Sequence, residues 1–332
     1  MSVLIATALA VLTLAQQAVA LDTEGHTADV QSADAVLGVC VELPAEQSPR
    51  GRVAAQQLLL GEIDNRVRRS GGSKGGDASS WRVVAAPEQC LDDASTVVNL
   101  AVVGALGSKS DWGLSNGMQP QNSCGLSLGT DAESFLVCAH TRPSGRGQHV
   151  SIVARSDRGL MLAVGRLLRS LHVDEESGRV TVPNGLSLAV EPPPFGRMRG
   201  HQLTDWGFYM TTDFFEGYVK ELLVFGTNQI EFAHIDYTRG DQHKLVEWSA
   251  ICDKYDLRVS LFNPPFSTDD EKATTLQVFA NMSRVDSIFH EGGGAETFAT
   301  MEAQVDALQK HHPDAKAWLS PCGLDERALD GT

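Results

Sequence analysis

Basic residues are scarce in this chain. Its 332 residues carry 27 Lys and Arg against 42 Asp and Glu, a formal net charge of −15. Nucleic-acid binding needs clustered Lys and Arg to neutralise phosphates, so no nucleic-acid partner is expected. Short basic spots such as Arg66 to Arg69 read as a solvated helix end. After residue 20 no run is long and apolar enough to cross a bilayer, so no further membrane contact is expected. None of the six cysteines (Cys40, Cys90, Cys124, Cys138, Cys252, Cys322) falls in a Cys-x-x-Cys or Cys/His metal spacing. Disulfides or buried thiols are expected instead. No HExxH-like spacing gathers His, Asp and Glu, so neither a metal nor another cofactor is expected.

Residues 1–20 contain no charged side chain, are mostly Ala, Val and Leu, and end in Ala18-Val19-Ala20. Small residues at that spacing mark a cleavage site, which predicts a secretory signal peptide cut near Ala20 and a secreted, extracytoplasmic protein. Asn281-Met282-Ser283 is a glycosylation sequon.

Beyond a loose polar segment, 21–34, the pattern divides in two. In residues 35–182, strand-like runs (35–41, 81–84, 97–103, 134–137 and 149–154) accompany helical patterns over 53–68 and 160–171. This predicts a small α/β domain with helices on one face of a sheet. Residues 183–194 are rich in proline and read as a linker. From 195 to 332, strands at 198–203, 229–234, 257–262, 287–289 and 317–319 alternate with helices at 212–225, 243–255, 269–281 and 297–311. That beat predicts parallel strands joined by right-handed crossovers, as in a TIM-type (β/α) barrel. A closed barrel has eight strands in about 250 residues. The expected barrel is therefore incomplete, with about five strands. A chain boundary short of the full domain is the favoured explanation, ahead of an open sheet or a dimer that completes the barrel.

In such barrels the reactive groups stand at the C-terminal ends of the strands. That rule selects His201, Asp205 and Trp206 after strand 1, and Glu231, His234, Asp236 and Tyr237 after strand 2. After strand 4 it selects His290-Glu291-Gly292-Gly293-Gly294-Ala295-Glu296. Consecutive glycines let a backbone pass close to a ligand, and flanking carboxylates suit the general acid and its partner in glycoside hydrolysis. The same composition also describes a glycine turn with two solvated glutamates. Trp206 suits stacking on a sugar face, or a place in the core.

The order of a small α/β domain, a proline linker and Pro194-Phe195-Gly196-Arg197-Met198-Arg199-Gly200 resembles glycoside hydrolase family 20, the β-N-acetylhexosaminidases, and the related α-glucuronidases. The turn Ser156-Asp157-Arg158-Gly159-Leu160, with Gly165-Arg166-Leu167-Leu168 behind it, and Phe225-Gly226-Thr227-Asn228 before strand 2 extend the likeness over about residues 35–325. The resemblance implies a carbohydrate substrate and general-acid cleavage of an O-glycosidic bond. Arg199 would hold sugar hydroxyls and Asp236 would match an aspartate beyond strand 2, with His201 and His290 also on the substrate side. The family's paired histidines before that aspartate are replaced by Glu231 and Ala233. Its His-x-Gly-Gly-Asp-Glu is also altered, because Gly294 and Ala295 occupy the Asp and Glu positions and a carboxylate follows at Glu296. Glu291 and Glu296 are then the candidate acids. Loss of the Asp-Glu pair keeps a second reading open, a catalytically degenerate carbohydrate-binding protein.

Overall fold

The computed structural model describes residues 39–42, 49–69, 96–102, 125–141, 148–173, 180–192, 198–204, 209–233, 242–262, 269–291 and 295–320. The expected strand at 81–84, the segments 1–20 and 21–34, and the loops carrying Asp205, Trp206, His234, Asp236 and Gly292 to Gly294 lie outside them.

The first half is built on strands β1 (Val39–Glu42), β2 (Thr96–Val102), β3 (Phe135–Thr141), β4 (Gln148–Ala154) and β7 (Ser187–Val190), with helices α1 (Pro49–Arg69) and α2 (Asp157–Ser170). A short pair, β5 (His172–Val173) and β6 (Val180–Thr181), is antiparallel and forms a two-stranded sheet of its own. The sheet order is β1-β2-β4-β3-β7. β1, β2 and β4 are parallel, while β3 runs antiparallel to both β4 and β7. Ser156 caps α2, its hydroxyl accepting from the Gly159 N–H. From there Leu160, Met161, Val164, Leu167 and Leu168 turn to the core at helical spacing.

Within the segment expected as a linker lies β7. Ser187–Val190 pairs with Cys138 to Phe135 as the fifth strand of this sheet. Its flanking prolines fit because an edge strand has one side free of ladder partners.

The second half contains β8 (Gly200–Leu203), α3 (Thr212–Val224), β9 (Gln229–Phe232), α4 (Gln242–Lys254), β10 (Arg258–Phe262), α5 (Asp269–Asn281), β11 (Ser287–Glu291), α6 (Ala295–Gln309) and β12 (Lys316–Ser320). All four pairings are parallel, in the order β12-β11-β10-β9-β8. Thr211 caps α3 through the Phe214 N–H, and α3 ends at Gly226, whose φ of +86° is the left-handed turn that glycine takes without strain. Among the described residues the chain is thus a mixed α/β protein with a parallel five-stranded sheet and six helices. Among the described residues β8 and β12 do not pair, so they form an open sheet and not a closed barrel.

One continuous set of buried side chains runs through both halves, from Leu58 and Ile152 through Leu167 and Leu223 to Trp248 and Phe279. Phe215 stacks on Trp248 at a centroid separation of 4.3 Å, and both rings lean on Phe232.

Candidate functional site at the parallel sheet

Side chains alternate between the faces of a strand, so the buried residues identify which face the helices cover. Leu203, Ile230, Phe232, Val259, Leu261 and Ile288 are all buried against the helices. His201 pairs in register with Ile230 and lies two residues before Leu203, which places it on that helical side. Its ring meets Tyr218 of α3 edge-on at 5.5 Å. His290, two residues after Ile288, shares the same side and is 1% exposed. Both histidines, expected on the substrate side, thus share one side of the sheet. The pleat turns both toward the helix layer, away from the face where a barrel would hold its ligand.

The opposite face carries a polar rung. Gln202, Glu231, Ser260, Ser287 and Lys316 are successive register partners across all five strands. Gln202 Nε2 donates to Glu231 Oε1 at 2.8 Å, and Ser260 Oγ lies 3.5 Å from Oε2, so both carboxylate oxygens have a neighbouring donor. Two residues further on, Phe262, Phe289 and Trp318 form an aromatic rung. Phe262 and Phe289 are 5.5 Å apart, and Trp318 is 42% exposed. Glu291 follows Phe289 by two residues at the C-terminal end of β11, in register with Ser320 of β12. Glu296 is not at the strand end. It is the second residue of α6.

Arg199 lies at the other end of the sheet, just before β8. Its Nη2 donates to Glu133 Oε2 at 2.8 Å and its Nε to the Gly226 carbonyl at 2.8 Å. The guanidinium expected to hold sugar hydroxyls thus bonds to Glu133 and Gly226. Sequence reading passed over Glu133, since nothing in a solitary glutamate before a strand signals what will reach it from 66 residues away. The interplay of Gln202 and Glu231 left a fainter trace, as each stands next to the last residue of its strand. Among the described residues no three His, Cys, Asp or Glu side chains gather as a metal-binding group. No described helix is long and apolar enough to cross a membrane.

No family model matches the chain, and no curated protein matches it in sequence. Among solved structures it is similar to one titled a glycoside hydrolase family 20 β-N-acetylglucosaminidase, at 13% identity and a TM-score of 0.44. The match takes in 86% of this chain and 62% of that one, so the chain spans less than two thirds of its length.

Proposed function

We propose that the protein is a secreted glycoside hydrolase-like protein that acts on an O-glycosidic bond by general-acid catalysis. The observation that carries this reading is the position of Glu291. It ends a parallel strand two residues beyond Phe289, whose register neighbours Phe262 and the half-exposed Trp318 complete an aromatic rung. Glycoside hydrolysis requires a carboxylic acid beside the leaving oxygen and a second carboxylate across the bond. Glu291 supplies the first. Glu296 is the alternative acid, and Asp205, Trp206 and Asp236 complete the substrate side. The composition of residues 1–20 supports secretion, and residues 35–182 are read as a non-catalytic α/β domain and 195–332 as a partial (β/α) barrel catalytic domain.

The test is a screen of chromogenic glycosides with the full chain, followed by Glu291→Gln and Glu296→Gln on any substrate that is cleaved. Loss of at least about 100-fold in kcat for Glu291→Gln, with folding intact, is expected of a general acid. Unchanged turnover in both variants would remove the assignment.

A second reading, a non-catalytic carbohydrate-binding protein, draws on the placement of Glu296 in the first turn of α6 together with Gly294 and Ala295 at the positions of the family's acidic pair. It expects calorimetric binding of a glycan with no hydrolysis by the wild type.

A further inference from the structure

The three stretches that carry the family resemblance converge on one side chain. Glu133, 5% exposed, stands in the turn before β3. Its Oε2 accepts from Arg199 Nη2, and its Oε1 accepts from Asn228 Nδ2 at 2.8 Å. Arg258 Nη2 and Arg158 Nη1 lie 3.6 Å and 3.9 Å from Oε1. Arg158 comes from the turn that opens α2, Arg199 from the segment before β8, and Asn228 from the turn after α3. Buried Asn228 also accepts from the Arg199 backbone N–H at 2.7 Å, and its own carbonyl accepts from the Arg258 N–H at 3.1 Å. One residue thus links the starts of β8, β9 and β10.

We propose that Glu133 is the centre of an inter-sheet latch, that Arg199 is a positioning residue within it and not a ligand contact, and that the two halves of the chain open together because of it. A carboxylate this deeply buried is strongly unfavourable unless several donors surround it. Here two hydrogen bonds come from Arg199 and Asn228 at the N-terminal ends of the second sheet, and the guanidiniums of Arg258 and, from α2, Arg158 add opposite charge at ion-pair distance. The excess of arginine is balanced nearby. Arg158 also donates to the Asp256 carbonyl at 2.9 Å and to its Oδ1 at 3.0 Å, and Arg284 bonds both Asp256 and Asp286. The latch therefore binds the first half to the α4–β10 turn as well as to β8. It lies at the sheet edge opposite the C-terminal strand ends, where (β/α) folds place stability and not chemistry. The inference is independent of whether the protein cleaves or only binds sugars.

The test is urea unfolding combined with hydrogen exchange of the full chain. Glu133→Gln is expected to lower the urea midpoint and to raise exchange roughly tenfold in peptides from both β3–β4 and β8–β10. The Glu133→Gln/Arg199→Lys pair is expected to lose less than the sum of its single variants, because both remove one interaction. If Glu133→Gln does not fold, Arg199→Lys alone still reads the latch, since it keeps the charge but loses the fork that reaches Glu133 and Gly226 together. Additive losses, exchange confined to the first half, or an unchanged midpoint in Arg199→Lys would overturn the proposal.

Discussion

Gly165 and Leu223 meet more closely than any side chain would allow. A Cβ on Gly165 would stand 2.5 Å from the Leu223 carbonyl oxygen and 3.0 Å from Val224 Cα. The missing side chain lets α2 of the first half lie directly on α3 of the second, with Val164 and Leu167 packed around the contact.

Gly165→Ala is accordingly expected to destabilise the protein by about 1–3 kcal/mol, because backbone has to move to admit the methyl. Gly217, inside α3 with nothing within 4 Å of a built Cβ, is the control. Gly217→Ala is expected to stabilise by about 0.5–1 kcal/mol through helix propensity and a less flexible unfolded chain. Opposite shifts of the urea midpoint in the two variants would check both.

Stability toward acid is expected to depend on Glu216. Burial by itself would raise its pKa, but hydrogen bonds from Tyr255 and Lys254, with the charges of Lys220 and Lys254, hold it at about 2. The folded value is below the ordinary 4.5. The contribution is therefore complete above about pH 4.5 and is lost as pH falls through 2. With solvent screening it amounts to about 1 kcal/mol. Glu216→Gln should weaken the protein at pH 7 and flatten the loss of stability between pH 5 and pH 2 in acid-unfolding curves.

Cys252 is fully buried, and burial pushes its thiol well above the ordinary range. Since the thiolate is the reactive form, native protein should be alkylated at Cys252 only as fast as it opens. Peptide mapping after timed alkylation, with and without urea, would show this. Fast labelling of Cys252 in folded protein would contradict the burial.

His201 distinguishes a packing role from a ligand role. With its ring edge-on to Tyr218, His201→Ala is expected to cost about 0.5–1.5 kcal/mol of stability. It is expected to leave glycan binding or KM unchanged. A raised KM at unchanged stability would return His201 to the substrate side.

Much of the second half is readable from local pattern. The helix expected over 269–281 is found as Asp269–Asn281, and each of the five parallel strands overlaps its expected run. Helical and strand periods are written into neighbouring residues, and the alternation of the two implies parallel pairing, so no distant information is needed. β7 escaped because its four residues sit between prolines, and it becomes a strand only by pairing with β3, about fifty residues earlier in the chain. Local propensity is weak at such an edge, and the partner strand decides.

The candidate site divides in the same way. That Glu291 ends a strand beside a glycine turn follows from the amino acids alone. Strand register alone turned His201 and His290 to the helices and gathered Gln202, Glu231 and Ser260 on the other side. The sequence by itself determined the elements of the second half, their order and the acidic balance, because these depend on composition and on contacts a few residues apart. Tertiary structure alone decided that Arg199 belongs to Glu133, since the electrostatic demand of a buried carboxylate is met by whichever donors the folded chain brings within about 3 Å of it.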